Sequence, residues 1–160
     1  MAGSSEFTVQ RVQQIDASPE VVFSLVDHLE SWQKWSPWEG LDPNLSREYT
    51  GPDSGKGARY AWKGNKKVGE GNMTIAESVS PSKVGIDLAF LKPFKSESKS
   101  IIEIAAKGDQ SMVTWTMKGQ KNWFMKLFGF IFSMEKMVGG DFERGLAKLK
   151  TVAESAAGQG

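Results

Sequence analysis

Few residues in this chain could do chemistry. Among its 160 residues there is one histidine, His28, and no cysteine. A nucleophilic relay needs a histidine or cysteine held beside a partner. His28 closes an amphipathic stretch and reads as a surface or helix-end residue. One histidine without cysteine does not make the usual zinc ligand set, and an iron–sulfur centre lacks its ligands too. The stretch Gly51 to Gly57, GPDSGKG, is superficially like a phosphate-binding loop, but Gly57 stands where a serine or threonine must hold magnesium. It reads as a hairpin turn. No metal and no cofactor are expected.

Carboxylates and phenols remain. Glu70 lies between Gly69 and Gly71 in a segment that reads as a strand. Small neighbours let a backbone bend or approach something closely, and a carboxylate facing an apolar cavity has a raised pKa and can move a proton. The competing reading puts Glu70 in solvent at a strand edge, because Met73 and Ile75 have the opposite parity. Tyr60 could donate a hydrogen bond to a ligand carbonyl. Glu70 and Tyr60 are thus the candidate catalytic pair, and Asp87, alternating with large apolar residues, is expected to face water.

The elements that must position these groups follow from periodicity. Phe7 to Ile15 reads as a strand. Asp16-Ala17-Ser18-Pro19 marks a helix start, with Ser18 as N-cap and Pro19 where its missing N–H costs nothing. Val22, Leu25, Val26 and Leu29 recur at helical spacing. A second short helix holds Trp32 and Trp35 and ends at Pro37. Strands then follow at Leu45–Tyr49, Ala58–Gly64, Gly69–Val79, Val84–Phe90, Ser96–Ala106 and Met112–Gly119, separated by short turns. The clearest is Val84, Ile86, Leu88, Phe90 alternating with Gly85, Asp87 and Ala89. A last helical run, Trp123 to Ala153, is aromatic in its first half and amphipathic after Gly139-Gly140. Those glycines read either as a helix break capped by Asp141 or as a point of close backbone approach, and Gly145 as a close seat on the sheet.

Strand, two short helices, six strands and a long helix imply one α+β domain over 1–160: an antiparallel sheet of about seven strands covered by the final helix. Residues 1–6 and 156–160 are expected as tails. Composition agrees, with 39% hydrophobic and 24% charged residues. A net charge of +1 makes no case for nucleic acid or an anionic membrane. No apolar run is long enough to span a bilayer. The opening MAGSSEF lacks the pattern of a signal peptide. Absence of cysteine fits a reducing, cytoplasmic setting.

The inner face is aromatic and rich in methionine. On the sheet it would comprise Tyr60, Trp62, Met73, Ile75, Ile86, Leu88, Phe90, Ile102, Ile104, Trp115 and Met117. Phe128, Phe132, Met134, Met137, Val138 and Phe142 would face them from the helix. Trp35 and Trp38 either pack the short helices on the sheet or border a cavity. Rigid rings and adaptable methionines can prop a helix away from a sheet, so these residues form either a filled core or a pocket wall.

Several motifs carry a family resemblance. Ile15-Asp16-Ala17-Ser18-Pro19-Glu20-Val21-Val22-Phe23, the Trp32…Trp35 segment, Gly69-Glu70-Gly71, Pro93-Phe94, Val113-Thr114-Trp115-Thr116-Met117, Gly140 to Leu146 and Leu149-Lys150 together resemble the START-like (SRPBCC) superfamily. The likeness is to its polyketide cyclase/dehydrase branch and runs from Val9 to Glu154. The resemblance implies a helix-grip fold, in which a curved sheet wraps a long C-terminal helix around an internal pocket. It leaves three functions open. The first is binding of a lipid, polyketide or aromatic molecule. The second is a cyclase or dehydratase using Glu70 or Tyr60. The third is a protein-interaction or co-chaperone domain docking through residues 123–132. A hydrophobic small molecule is the expected partner, and weak homodimerisation is compatible with all three.

Overall fold

The computed structural model describes residues 6–39, 42–65, 69–92, 95–120 and 134–159. Seven strands form one antiparallel sheet: β1 (Glu6–Ile15), β2 (Ser46–Thr50), β3 (Arg59–Lys63), β4 (Glu70–Val79), β5 (Lys83–Lys92), β6 (Ser96–Lys107) and β7 (Gln110–Gln120). Their order across the sheet is β1-β7-β6-β5-β4-β3-β2. Each strand after the first pairs with its sequence neighbour, and β1 closes against the last strand along all ten of its residues, from Glu6↔Gln120 to Ile15↔Ser111. Register shifts at Glu70/Gly71 and Ile75/Glu77 interrupt the β4–β5 ladder. Such bulges bend a strand and increase its twist, which curves the sheet around one concave face.

Helix α1 (Pro19–Val26) starts as the sequence predicts. The Ser18 hydroxyl accepts the Val21 N–H at 3.4 Å, and Val22, Phe23, Leu25 and Val26 are buried. A 3-10 helix, Leu29–Lys34, follows and ends before Pro37. The long helix α2 (Met134–Gln159) packs against β1, α1 and the 3-10 helix. Its buried face is Phe142, Leu146, Leu149 and Ala153, a spacing of four, three and four that keeps one stripe on the sheet. The helix continues through Gln159, into the segment expected as a tail.

The glycine pair does not break α2, which runs through both residues. The second of the two sequence readings holds at Gly139. A side chain there would run into the Arg11 guanidinium, which donates to Glu143 Oε2 at 2.7 Å one turn further on. Gly145 plays the expected part: a Cβ would come within 2.8 Å of Pro37 Cδ and 3.1 Å of Trp115 Cζ3. Two further hydrogen bonds tie the helix down, one two turns in and one near its C-terminal end. The Trp38 indole N–H donates to Asp141 Oδ2 at 3.3 Å, and the Asp16 amide donates to Glu154 Oε2 at 2.9 Å.

Candidate functional site: the concave face of the sheet

Strand register assigns the concave face directly. Side chains directly opposite one another share a face. The rows that cross the sheet are Arg47–Trp62–Gly71–Phe90, then Tyr49–Tyr60–Met73–Leu88–Ser98–Gly119, then Ile75–Ile86–Ser100–Met117–Val9. Trp115 and Ile102 face each other in the next row along β6 and β7. The face divides into three zones of different character.

The first zone is packed solid. Trp32, Trp35, Trp115 and Phe142 are all buried. Phe142 stacks on Trp115 with ring centroids 3.9 Å apart and planes 4° apart. Trp35 meets Trp115 edge-on at 5.5 Å. The Trp35 N–H donates to Leu25 O at 3.0 Å and the Trp32 N–H to Val26 O at 2.9 Å. Of the two readings of Trp35, this favours packing. The indoles lock α1 and the 3-10 helix onto the sheet, and neither presents a free polar group. Trp38 covers this cluster from outside, edge-on to Trp115 at 5.8 Å and to Phe142 at 6.3 Å. Ile75, Ile86, Ile102 and Met117 extend the same buried layer.

The second zone is the aromatic row on β2, β3 and β5. Tyr49, Tyr60, Trp62 and Phe90, with Leu88, are only half-buried although they face inward. Tyr49 stacks on Tyr60 at 4.9 Å, Tyr60 on Trp62 at 5.8 Å, and Trp62 meets Phe90 edge-on at 5.6 Å. Polar groups hold its outer end. Gln33 donates to the Tyr49 hydroxyl at 2.8 Å, and Arg47 pairs with Glu39. Burial, reinforced by the neighbouring Tyr49, pushes the Tyr60 phenol up to about 12. Tyr60 therefore keeps its proton at neutral pH and serves as a hydrogen-bonding group rather than a base.

Between these zones runs a trough of small residues. Ser98 and Ser100 on β6 and Gly119 on β7 stand on the concave face, flanked by Leu88 and Ile86 on one side and Met117 on the other. Ser98, Ser100 and Gly119 are buried. The Ser98 hydroxyl has no hydrogen-bond partner.

The structure does not bring the two candidate catalytic residues together. Glu70 has the opposite parity from Met73 and Ile75. Its ladder partners are Lys63 and Lys92, and the position that turns inward beside Trp62 is Gly71. Asp87 is exposed as expected. His28 sits at the start of the 3-10 helix with its Nδ1 2.9 Å from Ser31 Oγ, a local contact three residues apart. Among the described residues no cluster of His, Cys, Asp or Glu could hold a metal ion. Phe128 and Phe132 lie outside the described residues, as does the whole apolar stretch 123–132. Met134, Met137 and Val138 fall in the first turns of α2, and their side chains are outside the described set as well. Sequence reasoning missed Ser98, Ser100 and Tyr49. The signal for the serines was present, since they share the parity of Ile102 and Ile104.

A curved seven-stranded antiparallel sheet, two short helices after its first strand and a long C-terminal helix over its concave side define a helix-grip protein of the START-like superfamily. The family model described as "Polyketide cyclase / dehydrase and lipid transport" matches residues 6–154, and the chain belongs to that family. Solved structures agree on the fold. A Chromobacterium violaceum protein aligns with a TM-score of 0.66 at 12% identity, covering 92% of this chain and 96% of its own. A Thermobifida fusca protein aligns at 0.66 and 18%, covering 91% and 92%. The Aha1 dimer from Colwellia psychrerythraea aligns at 0.56 and 15%, covering 94% and 96%. No curated protein matches the sequence.

Proposed function

We propose that this protein binds a hydrophobic small molecule – a lipid, a polyketide or an aromatic compound – on the concave face, over the trough between the packed zone and the aromatic row. One observation carries the reading. Tyr49, Tyr60, Trp62 and Phe90 face inward yet stay half-buried, while α2 is docked on β1 at the opposite edge of the sheet. Apolar surface left in water costs roughly 25 cal/mol per Å², so a row of large rings is a standing gain for an apolar ligand that covers it. The family description, which names both cyclases and lipid transport, supports the same class of ligand.

Binding is favoured over catalysis by the site's own chemistry. Tyr60 holds its proton, and Glu70 is on the opposite parity from the residues of the face. No acid–base pair therefore converges on the trough among the described residues. Any acceleration of a reaction would come from holding a flexible ligand in one folded shape.

Native mass spectrometry of the protein as expressed, followed by titration with an environment-sensitive apolar fluorophore, tests the proposal. A co-purifying small molecule, or saturable uptake at one site that Trp62→Ala weakens, is the expected result. No uptake by the folded protein overturns it.

A further inference from the structure

Two buried side-chain polar atoms among the described residues have no hydrogen-bond partner: Trp115 Nε1 and Ser98 Oγ. Their surroundings differ. Trp115 is ringed by Trp32, Trp35 and Trp38 at T-shaped angles, and aromatic faces accept an N–H weakly. Ser98 is 6% exposed, and its row partners on the concave face are Leu88 and Gly119, which offer no side-chain acceptor or donor. A buried hydroxyl left without a partner is destabilising, because it gives up its hydrogen bonds to water and regains none. A solvent-facing position would avoid that cost, as it does for Glu97 and Lys99 on either side, both exposed.

We infer that Ser98 is the polar anchor of the ligand site, selecting a ligand that carries an uncharged hydroxyl or carbonyl on an apolar body. This rests on the concave face being the binding site. The hydroxyl can donate to a carbonyl or exchange hydrogen bonds with an alcohol. Gly119, its row partner on β7, brings no side chain to the same spot. Met73 and Leu88 in the same row lead the apolar body towards Tyr60 and Trp62. A carboxylate fits this position poorly, because a buried charge needs a paired countercharge. The two guanidinium groups on this face are already engaged, Arg11 with Glu143 and Arg47 with Glu39.

The test uses three fluorescent probes of one ring system: pyrene, 1-pyrenemethanol and 1-pyrenecarboxylate. The full chain is expected to bind the alcohol about 3- to 10-fold more tightly than pyrene, and the carboxylate no more tightly than pyrene. Ser98→Ala is expected to level alcohol and hydrocarbon, and the neighbouring Ser100→Ala to keep the preference. In the ligand-free protein, Ser98→Ala is expected to hold or raise the unfolding temperature, since it removes an unpaired group. An alcohol preference that survives Ser98→Ala, tightest binding of the carboxylate, or a lowered unfolding temperature in Ser98→Ala overturns the inference. Equal uptake of alcohol and hydrocarbon by the wild type removes this inference alone. Uptake of none of the three removes the binding site with it.

Discussion

The indole of Trp62 lies across Gly71, its partner on the neighbouring strand. A Cβ on Gly71 would come within 2.7 Å of Trp62 Cζ2 and would also run into the Ala89 carbonyl. Gly71 sits at one of the two register shifts of β4, where a bulge bends a strand. The missing side chain is what lets the ring fold down onto the sheet and reach Phe90. The aromatic row therefore depends on one glycine.

Gly71→Ala should lift Trp62 off the strand and strain the bulge, with a cost of about 1–3 kcal/mol as for other overpacking substitutions. Chemical denaturation measures it. Combining it with Trp62→Ala should recover only part of the loss, because the Ala89 carbonyl still blocks the new methyl group. Full recovery would mean that the ring alone requires the glycine.

The packed and open zones should separate in mutagenesis. Phe142 is fully buried against Trp115, so Phe142→Ala leaves a cavity and should cost roughly 3–5 kcal/mol. Trp62 is half-buried, so Trp62→Ala should cost less in stability while weakening uptake of an apolar probe more. If both variants lose binding only in proportion to stability, the two zones are one core and the site assignment fails.

Much of this architecture was legible in the residues, because hydrophobic periodicity is a local signal. Val84, Ile86, Leu88 and Phe90 announced β5 and its inward face, and Ser18-Pro19 announced α1. What stayed hidden was set by distant partners. Gly139-Gly140 reads equally as a break or as a close approach, and only the Arg11 side chain, well over a hundred residues earlier in the chain, decides between them. Trp35 reads equally as wall or packing until its N–H is seen on Leu25 O. Ser98 and Ser100 carry conflicting signals, because small polar residues in a strand suggest the solvent side. Their parity with Ile102 and Ile104 placed them on the inner face all along.

The chain has two tyrosines, and both phenols are shifted upward by burial, Tyr60 to about 12. A phenol raised in the folded state contributes stability that is present below its unfolded value near 10 and lost as pH rises towards the folded value. At pH 10, where free tyrosine is half ionised, tyrosinate absorbance should therefore fall below half of its full value in the folded protein, with the Tyr60 share appearing together with loss of structure above that pH. Tyr60→Phe should make stability between pH 10 and 12 less steep. A normal titration of both phenols near pH 10 in the folded protein would contradict the stacked, half-buried row.

Glu154 tests how the far end of α2 is held. Its carboxylate is kept below the usual range by the Lys150 ammonium and then by the Asp16 amide, which donates to it at 2.9 Å. A depressed carboxylate contributes stability above its unfolded pKa and loses it as pH falls through the lower folded value. Hydrogen exchange at the Asp16 amide, corrected for the intrinsic pH dependence, should thus show protection that is constant near neutrality and declines in acid. Glu154→Gln keeps an acceptor oxygen without the charge and should remove the decline while retaining part of the protection, whereas Glu154→Ala should lose both. Protection of Asp16 that is the same in all three proteins would show that β1 and α1, not the helix end, secure that amide.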